Sequence, residues 1–255
     1  IEDNHIINNT LNGIYLESFN TVVSNNLIAN NSKHGINLTA SDIHVTENAI
    51  INNTLSGIMG SGLGVQNVNV TDNEICHNTD GMNWGASESL ISGNRVFNNS
   101  DIGIKVEKGN NEIRGNYISN NSIGLNISFN SGGNVIYHNA FIGNELHAQD
   151  HHPTQSNEWY DSNLGIGNYW DNHTTPDTTP KDGIVDTPYT WIRGPGETDE
   201  YPLAKSPFHG GEKIQIDDSG VSAFNWSQTE KLYLWCSGNG TLEDPYLIDD
   251  LEINC

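Results

Sequence analysis

Cations are scarce in this chain. Ten Lys and Arg stand against thirty-two Asp and Glu, giving a formal net charge of −22 at pH 7. Such a balance repels nucleic acid and anionic membranes, which excludes both as partners. Charged residues make up only 16% of the chain, so the imbalance reflects missing cations rather than a flood of carboxylates. Solubility is the plain consequence, and divalent cations bridging acidic faces the alternative. Three cysteines are too few for a disulfide scaffold. Cys236 and Cys255 lie 19 apart and either pair after oxidation or stay as thiols, while Cys76 falls among apolar positions. No run of eighteen apolar residues occurs and no signal peptide opens at Ile1, so an export signal or anchor would lie outside this sequence. Apolar residues at helical spacing are also absent, as are the fixed leucines of a leucine-rich horseshoe.

What the chain has in abundance is periodic asparagine. Asn4, Asn25, Asn48, Asn73, Asn94, Asn116 and Asn139 recur at steps of 21, 23, 25, 21, 22 and 23. Each is followed two residues on by a large apolar side chain (Ile6, Leu27, Ile50, Ile75, Val96, Ile118, Phe141) and five residues on by a second asparagine (Asn9, Asn30, Asn53, Asn78, Asn99, Asn121, Asn144). A glycine with an aliphatic or methionine neighbour returns in six units, from Gly13-Ile14 to Gly124-Leu125. A period of about 22 residues marks a solenoid, and apolar residues two apart mark short strands. The expected fold is therefore all-β, a parallel β-helix whose coils stack about 4.8 Å apart. Asparagine suits its corners because it tolerates left-handed backbone and its amide can bond along a stack.

The pattern Asn-x-Ile-x-x-Asn-Asn-x-x-x-Gly-Ile, seen from Asn48 to Ile58, resembles the NosD-like β-helix family, also called the carbohydrate-binding and sugar-hydrolase repeat. Gly167-Asn168-Tyr169-Trp170, Asp182 to Tyr189 and Asp199 to Leu203 are similar to the segment that closes such helices. Gly238 to Thr241 with Asp244 to Ile248 is similar to the segment that opens one. The resemblance implies a right-handed coil on an archaeal or bacterial surface protein. Coils are expected over 1–149, a closing segment over 150–211 and an opening or cap segment over 212–255. Coils followed by closing and then opening segments suggest either a fragment carrying parts of two β-helices, or a subunit whose opening segment covers the bare first coil of the next copy by strand addition. Both make the chain an extracellular structural or adhesive protein, with itself or neighbouring β-helix domains as partners. The alternative is a carbohydrate-binding or polysaccharide-cleaving domain, with glycans as partners.

Candidate sites are sparse. Asp177, Asp182 and Asp186, with Gly183 at the bend, offer hard oxygen ligands on a short loop and make structural Ca²⁺ the one cofactor expected. Thr178, Thr179, Pro180 and Lys181 interrupt the denser aspartate run of the family. His147, Asp150, His151 and His152 read as a solvated connector, because adjacent histidines point different ways. Glu47 with Asp72 or Glu74 could face each other on stacked coils as a glycosidase pair does. No nucleophile elbow, phosphate loop or Cys-x-x-Cys pair occurs, so no catalytic residue is assigned. Trp159, Tyr160, Tyr169, Trp170, Tyr189, Trp191 and Tyr201 crowd the closing segment, where they seal the solenoid end or offer platforms for sugar rings; Trp84 stands alone. Alternation turns the column Ile7, Ile28, Ile51, Cys76, Phe97, Ser119 and Ile142 outward, to be covered by the segment after residue 145 or by another molecule. Eleven Asn-x-Ser/Thr sequons, among them Asn8, Asn37, Asn69, Asn126, Asn172 and Asn225, offer glycosylation sites.

Overall fold

A computed structural model describes residues 1–62, 64–154, 156–208, 236–237, 241 and 247–248. It is a right-handed parallel β-helix of about seven turns with three lateral sheets. In the first coil the strands are His5–Ile7, Ile14–Leu16 and Thr21–Ser24. Each pairs in parallel with its equivalent one coil on, which builds sheets of eight, seven and six strands, here sheets I, II and III. The closing segment adds Tyr169–Trp170 to sheet I. Among the described residues no helix is long and apolar enough to cross a membrane.

The expected repeat is one residue out of register in the second coil. Ile6 pairs with Ile28, and Ile28 with Ile50, so the inward residue there is Ile28, fully buried, and not Leu27. The anchor is Asn26 rather than Asn25, and the second asparagine Asn31 rather than Asn30. The doublets Asn25-Asn26 and Asn30-Asn31 made both registers legible, but a one-residue slip would have turned a strand's apolar side chains to solvent. The outward column accordingly carries Ala29 where Ile28 was expected.

Two ladders of carboxamides run the length of the prism. In the first, Asn4, Asn26, Asn48, Asn73, Asn94, Asn116 and Asn139 each donate both backbone N–H and Nδ2 to the Oδ1 of the next coil's asparagine. In the second, Asn9, Asn31, Asn53, Asn78, Asn99 and Asn121 do the same, ending on Asn144. The left-handed residue is not the ladder asparagine but the one before it. Asn25, Glu47 and Asp72 precede the first ladder at φ of 54 to 57°, and Asn8, Asn30, Asn52, Asn98 and Asn120 precede the second at 52 to 59°. Asparagine pays the least at such a corner after glycine. Five sequons therefore have their asparagine in one exposed corner column.

The glycine column explains itself by contact. A Cβ on Gly103 would sit 2.6 Å from the Gly124 carbonyl oxygen and 2.9 Å from Asn121 Nδ2, and Gly124 would meet the His147 carbonyl oxygen at 2.5 Å. A side chain first fits where no coil follows, and there the column carries His147. Inside, Ile50, Ile75, Val96, Ile118 and Phe141 from sheet I face Val45, Val70, Ile91, Ile113 and Ile136 from sheet III, all fully buried. Each such residue stabilises the fold by about 1.5–3 kcal/mol. Trp84 belongs to this core, made room for by Gly60 on the coil before it.

Candidate functional site

Each carboxamide column has its donor end toward the closing segment and finishes there on a carboxylate, directly or through a histidine. The first passes from Asn139 to Asn168 and then to Asp199, whose Oδ2 accepts from Asn168 N at 2.7 Å and Trp170 Nε1 at 2.9 Å, while Oδ1 accepts from Tyr201 N at 3.0 Å. The second ends at Asn144, whose Nδ2 faces His147 Nδ1 at 3.5 Å; His147 Nε2 is 2.7 Å from Asp171 Oδ1. A short third column, Asn111 to Asn134 to Asn157, passes to Asp150 Oδ2 at 2.8 Å. A carboxylate only accepts, so it can satisfy the last donors without needing a further rung.

Burial works against these charges. It pushes Asp199 up to about 7 despite the donors around it, and raises Asp150 against its bonds from His152 N and Asn157. Glu197 rises to about 7 through burial and then the charge of Asp150, and its Oε1 is buried with no hydrogen-bond partner. Burial also lowers His147, partly offset by Asp171. A neutral ring with its proton on Nε2 meets both neighbours, accepting at Nδ1 and donating to Asp171. The connector expected at His147 to His152 is therefore largely an ordered terminus: His147 and Asp150 are buried, and only His151 stays fully exposed.

Most of the aromatic cluster seals the end. Phe141, Trp170 and Tyr189 stack at 4.4 and 4.1 Å, with Trp159 tilted beside them at 6.1 Å. Trp191 and Tyr201 are the exposed members, at 62% and 37%. On sheet I, Phe208 of the closing segment packs edge-on against Tyr117 at 5.7 Å, in the column of Arg95 and Ala140 that runs beside the one headed by Ile7.

The carboxylate pairs expected on the coils resolve differently. Glu74 lies opposite Ala49 rather than Glu47, and meets Arg95 at 3.7 Å. Glu47 and Asp72 do share one corner column, at the exposed rim. Asp177 Oδ2 accepts from Gly183 N, Asp182 from Ile184 N, and Asp186 from Thr178 N, Thr178 Oγ1 and Thr179 N. These carboxylates close the loop onto its own amides. Among the described residues no group of three or more His, Cys, Asp or Glu gathers in a geometry that could hold a metal ion. The opening segment expected over 212–255 lies outside the described residues except for an antiparallel pair, Cys236–Ser237 with Leu247–Ile248, Thr241 being described by itself. Cys255 and Asn225 fall outside them too.

One polar constellation on the surface was not anticipated. The outward residues of sheet II form a single row: Tyr15, Asn37, Met59, Asn83, Lys105, Asn126 and Gln149, continued by Arg193, which bridges to Gln149. At about 4.8 Å per rung the row is on the order of 34 Å long. Asn83 and Asn126 flank Lys105, and the Oδ1 of each is buried without a partner. Lys105 Nζ meets Glu107 at 2.6 Å, and Asp80, on the coil before, is raised by burial. Ile192 is buried while Trp191 and Arg193 on either side are exposed, so both extend the row outward at its far end. The signal was present in the sequence as the residue after each glycine–aliphatic pair. Alternation gave its direction, but not the two amide oxygens left without partners at its middle.

The class of protein is thus a right-handed parallel β-helix with a sealed C-terminal end. Residues 60–175 match the family model described as "Periplasmic copper-binding protein (NosD)". The A-module of the mannuronan C-5 epimerase AlgE6 of Azotobacter vinelandii has the same fold, with a TM-score of 0.51 and 17% identity over 63% of this chain; the chain spans 56% of that module. No curated protein matches the sequence. Over residues 60–175 the chain is thus similar to the NosD-like parallel β-helix proteins. Among the described residues nothing gathers to hold the copper of that description: His147, Asp150 and His152 are committed within the fold, and no other metal-type group forms.

Proposed function

We propose that this chain is a carbohydrate-binding β-helix of the cell exterior, using the outer row of sheet II as its glycan platform. The observation that carries the reading is the outward row itself, in which the carboxamides of Asn37, Asn83, Asn126 and Gln149 stand around Lys105, with Asn83 Oδ1 and Asn126 Oδ1 lacking partners among the described residues. Buried polar atoms without partners are rare and costly, and sugar hydroxyls are donors that a row of carboxamides can meet rung by rung. Trp191 supplies an apolar face with a polar edge at one end of that row. Binding rather than cleavage is proposed, because the row has no two carboxylates facing each other across a free gap and Glu107 is held by Lys105.

Retention on immobilised polysaccharides, neutral and acidic, tests this. Retention is expected, with at least tenfold weaker binding after Asn83→Ala with Asn126→Ala and after Trp191→Ala. Equal retention by these variants would place the glycan elsewhere, and release of shortened sugars would make the protein an enzyme. The fibre reading draws on the first coil, where Ile1, Ile7, Leu11, Tyr15, Phe19 and Val22 are exposed among the described residues and the strands form the ends of the three sheets. Concentration-dependent filaments in electron micrographs would support it, and a monodisperse monomer would remove it.

A further inference from the structure

The segment from Tyr189 to Asp199 folds back on itself and closes on the last coil. Tyr189 and Asp199 exchange backbone bonds at 2.9 and 3.0 Å, Arg193 N donates to Ala148 O at 3.1 Å, and Asp150 N donates to Arg193 O at 2.8 Å. This strap carries Trp191 and Arg193 outward into the row of sheet II. Behind them it carries Glu197 inward, where only 3% of the residue is exposed, against Asp150, of which 2% is exposed. The two side chains converge on Gly194. A methyl group there would meet Asp150 Cβ and Glu197 Cγ at 3.3 Å each, so those carbons lie within twice that distance of one another. Asp150 has both oxygens occupied, by His152 N and Asn157 Nδ2. Glu197 Oε1 has no partner.

We propose that Glu197 and Asp150 form a proton-holding latch that fastens the strap to the last coil below neutral pH and loosens it above, so regulating the row that the proposed glycan-binding function uses. Two buried carboxylates on neighbouring carbons cannot both ionise cheaply, and a proton kept on Glu197 removes the repulsion. The charged groups around the pair are few. Asp150 is the one charged group acting on Glu197, while His151 and His152 act on Asp150 from the coil side. Asp199, on the same strap, faces the asparagine ladder instead. The sign follows from linkage. The folded carboxyl of Glu197 holds its proton up to about 7 against an ordinary 4.5, so its stabilisation is complete at low pH and lost as pH rises through 7.

Hydrogen exchange of the Asp150 and Arg193 amides, corrected for intrinsic rates, reads the latch on the full chain without any glycan. Protection is expected to fall with pH, Glu197 contributing on the order of 30-fold between pH 5.5 and 8.5. Glu197→Gln, nearly isosteric, should lose that share, any remainder belonging to Asp199. Asp150→Asn should move the Glu197 midpoint downward. A Glu197→Gln profile identical to wild type, or a midpoint indifferent to Asp150→Asn, would overturn the latch. Should a variant not fold, the ¹³C-carboxyl titration of Glu197 in the unaltered protein decides instead: a midpoint near 7 supports the latch and one near 4.5 overturns it. Glycan retention that falls with pH in the wild type but not in Glu197→Gln supports the regulation. Retention independent of pH while exchange changes refutes the regulation alone and leaves the binding reading standing.

Discussion

Replacing Asn94 by alanine should cost a large part of this protein's stability, and the structure says why. The side chain is fully buried at the centre of the first ladder. Its Oδ1 accepts Asn73 N and Asn73 Nδ2, both at 3.0 Å, and its Nδ2 donates to Asn116 Oδ1, Val70 O and Ser92 O at 2.9, 2.8 and 3.0 Å. Alanine strands the Asn73 backbone N–H in a dry corner and takes a donor from the Val70 carbonyl. Each stranded buried group costs about 1–3 kcal/mol, and the void left by the carboxamide adds to that. The expected loss is about 3–5 kcal/mol against a typical total of about 5–15. Asn4→Ala is the internal control, since Asn4 occupies the same rung on the exposed first coil, where water can replace its bonds; about 0.5 kcal/mol is expected there. Asn94→Asp separates bonding from packing, because it keeps the volume but turns an acceptor toward Asn116 Oδ1 and two carbonyls. Urea unfolding followed by far-UV circular dichroism reads all three. Costs for Asn94→Ala and Asn4→Ala within about 1 kcal/mol of each other, or a harmless Asn94→Asp, would refute the ladder as a source of stability.

Gly103→Ala should destabilise by about 3 kcal/mol or more, since its Cβ would strike the Gly124 carbonyl and not a side chain that can swing away. Gly64→Ala, with open space but a φ of +79°, should cost only about 1–2 kcal/mol, so equal losses in melting experiments would contradict the contact argument. Cys76, its thiol pushed up to about 11 by burial and by Glu74 against Arg95, should react with a disulfide reagent at pH 8 about 100-fold more slowly than an unperturbed thiol. A fast Cys76 in a Cys236→Ser, Cys255→Ser background would show that flank to be open. The calcium proposal for Asp177, Asp182 and Asp186 predicts a melting temperature that rises with Ca²⁺ and no longer does so in Asp186→Asn; an indifferent wild type leaves the three carboxylates as caps of their own loop.

The fold class was legible because a solenoid writes its architecture as a local repeat. Each coil solves the same problem of inward apolar residues, corner amides and a glycine at the close approach, so identical answers recur along the chain. Register was harder in the second coil, where doubled asparagines left two phases equally readable and only the burial of Ile28 against Ile6 and Ile50 chose between them. Asp199, Asp171 and Asp150 as ladder ends were not legible at all. They follow their last asparagines across irregular spacings, with Asp150 even preceding Asn157, and no period marks them.

By itself, then, the sequence determined the parallel coil, the amide corners and the inward columns, because those depend on neighbours at a fixed separation of one turn. Tertiary structure decided what happens where the repeat stops: which carboxylates receive the final donors, which aromatics close the core, and which face of sheet II keeps two amide oxygens without partners. Those contacts join residues whose separation obeys no rule, and only the folded path of residues 150–203 brings them together.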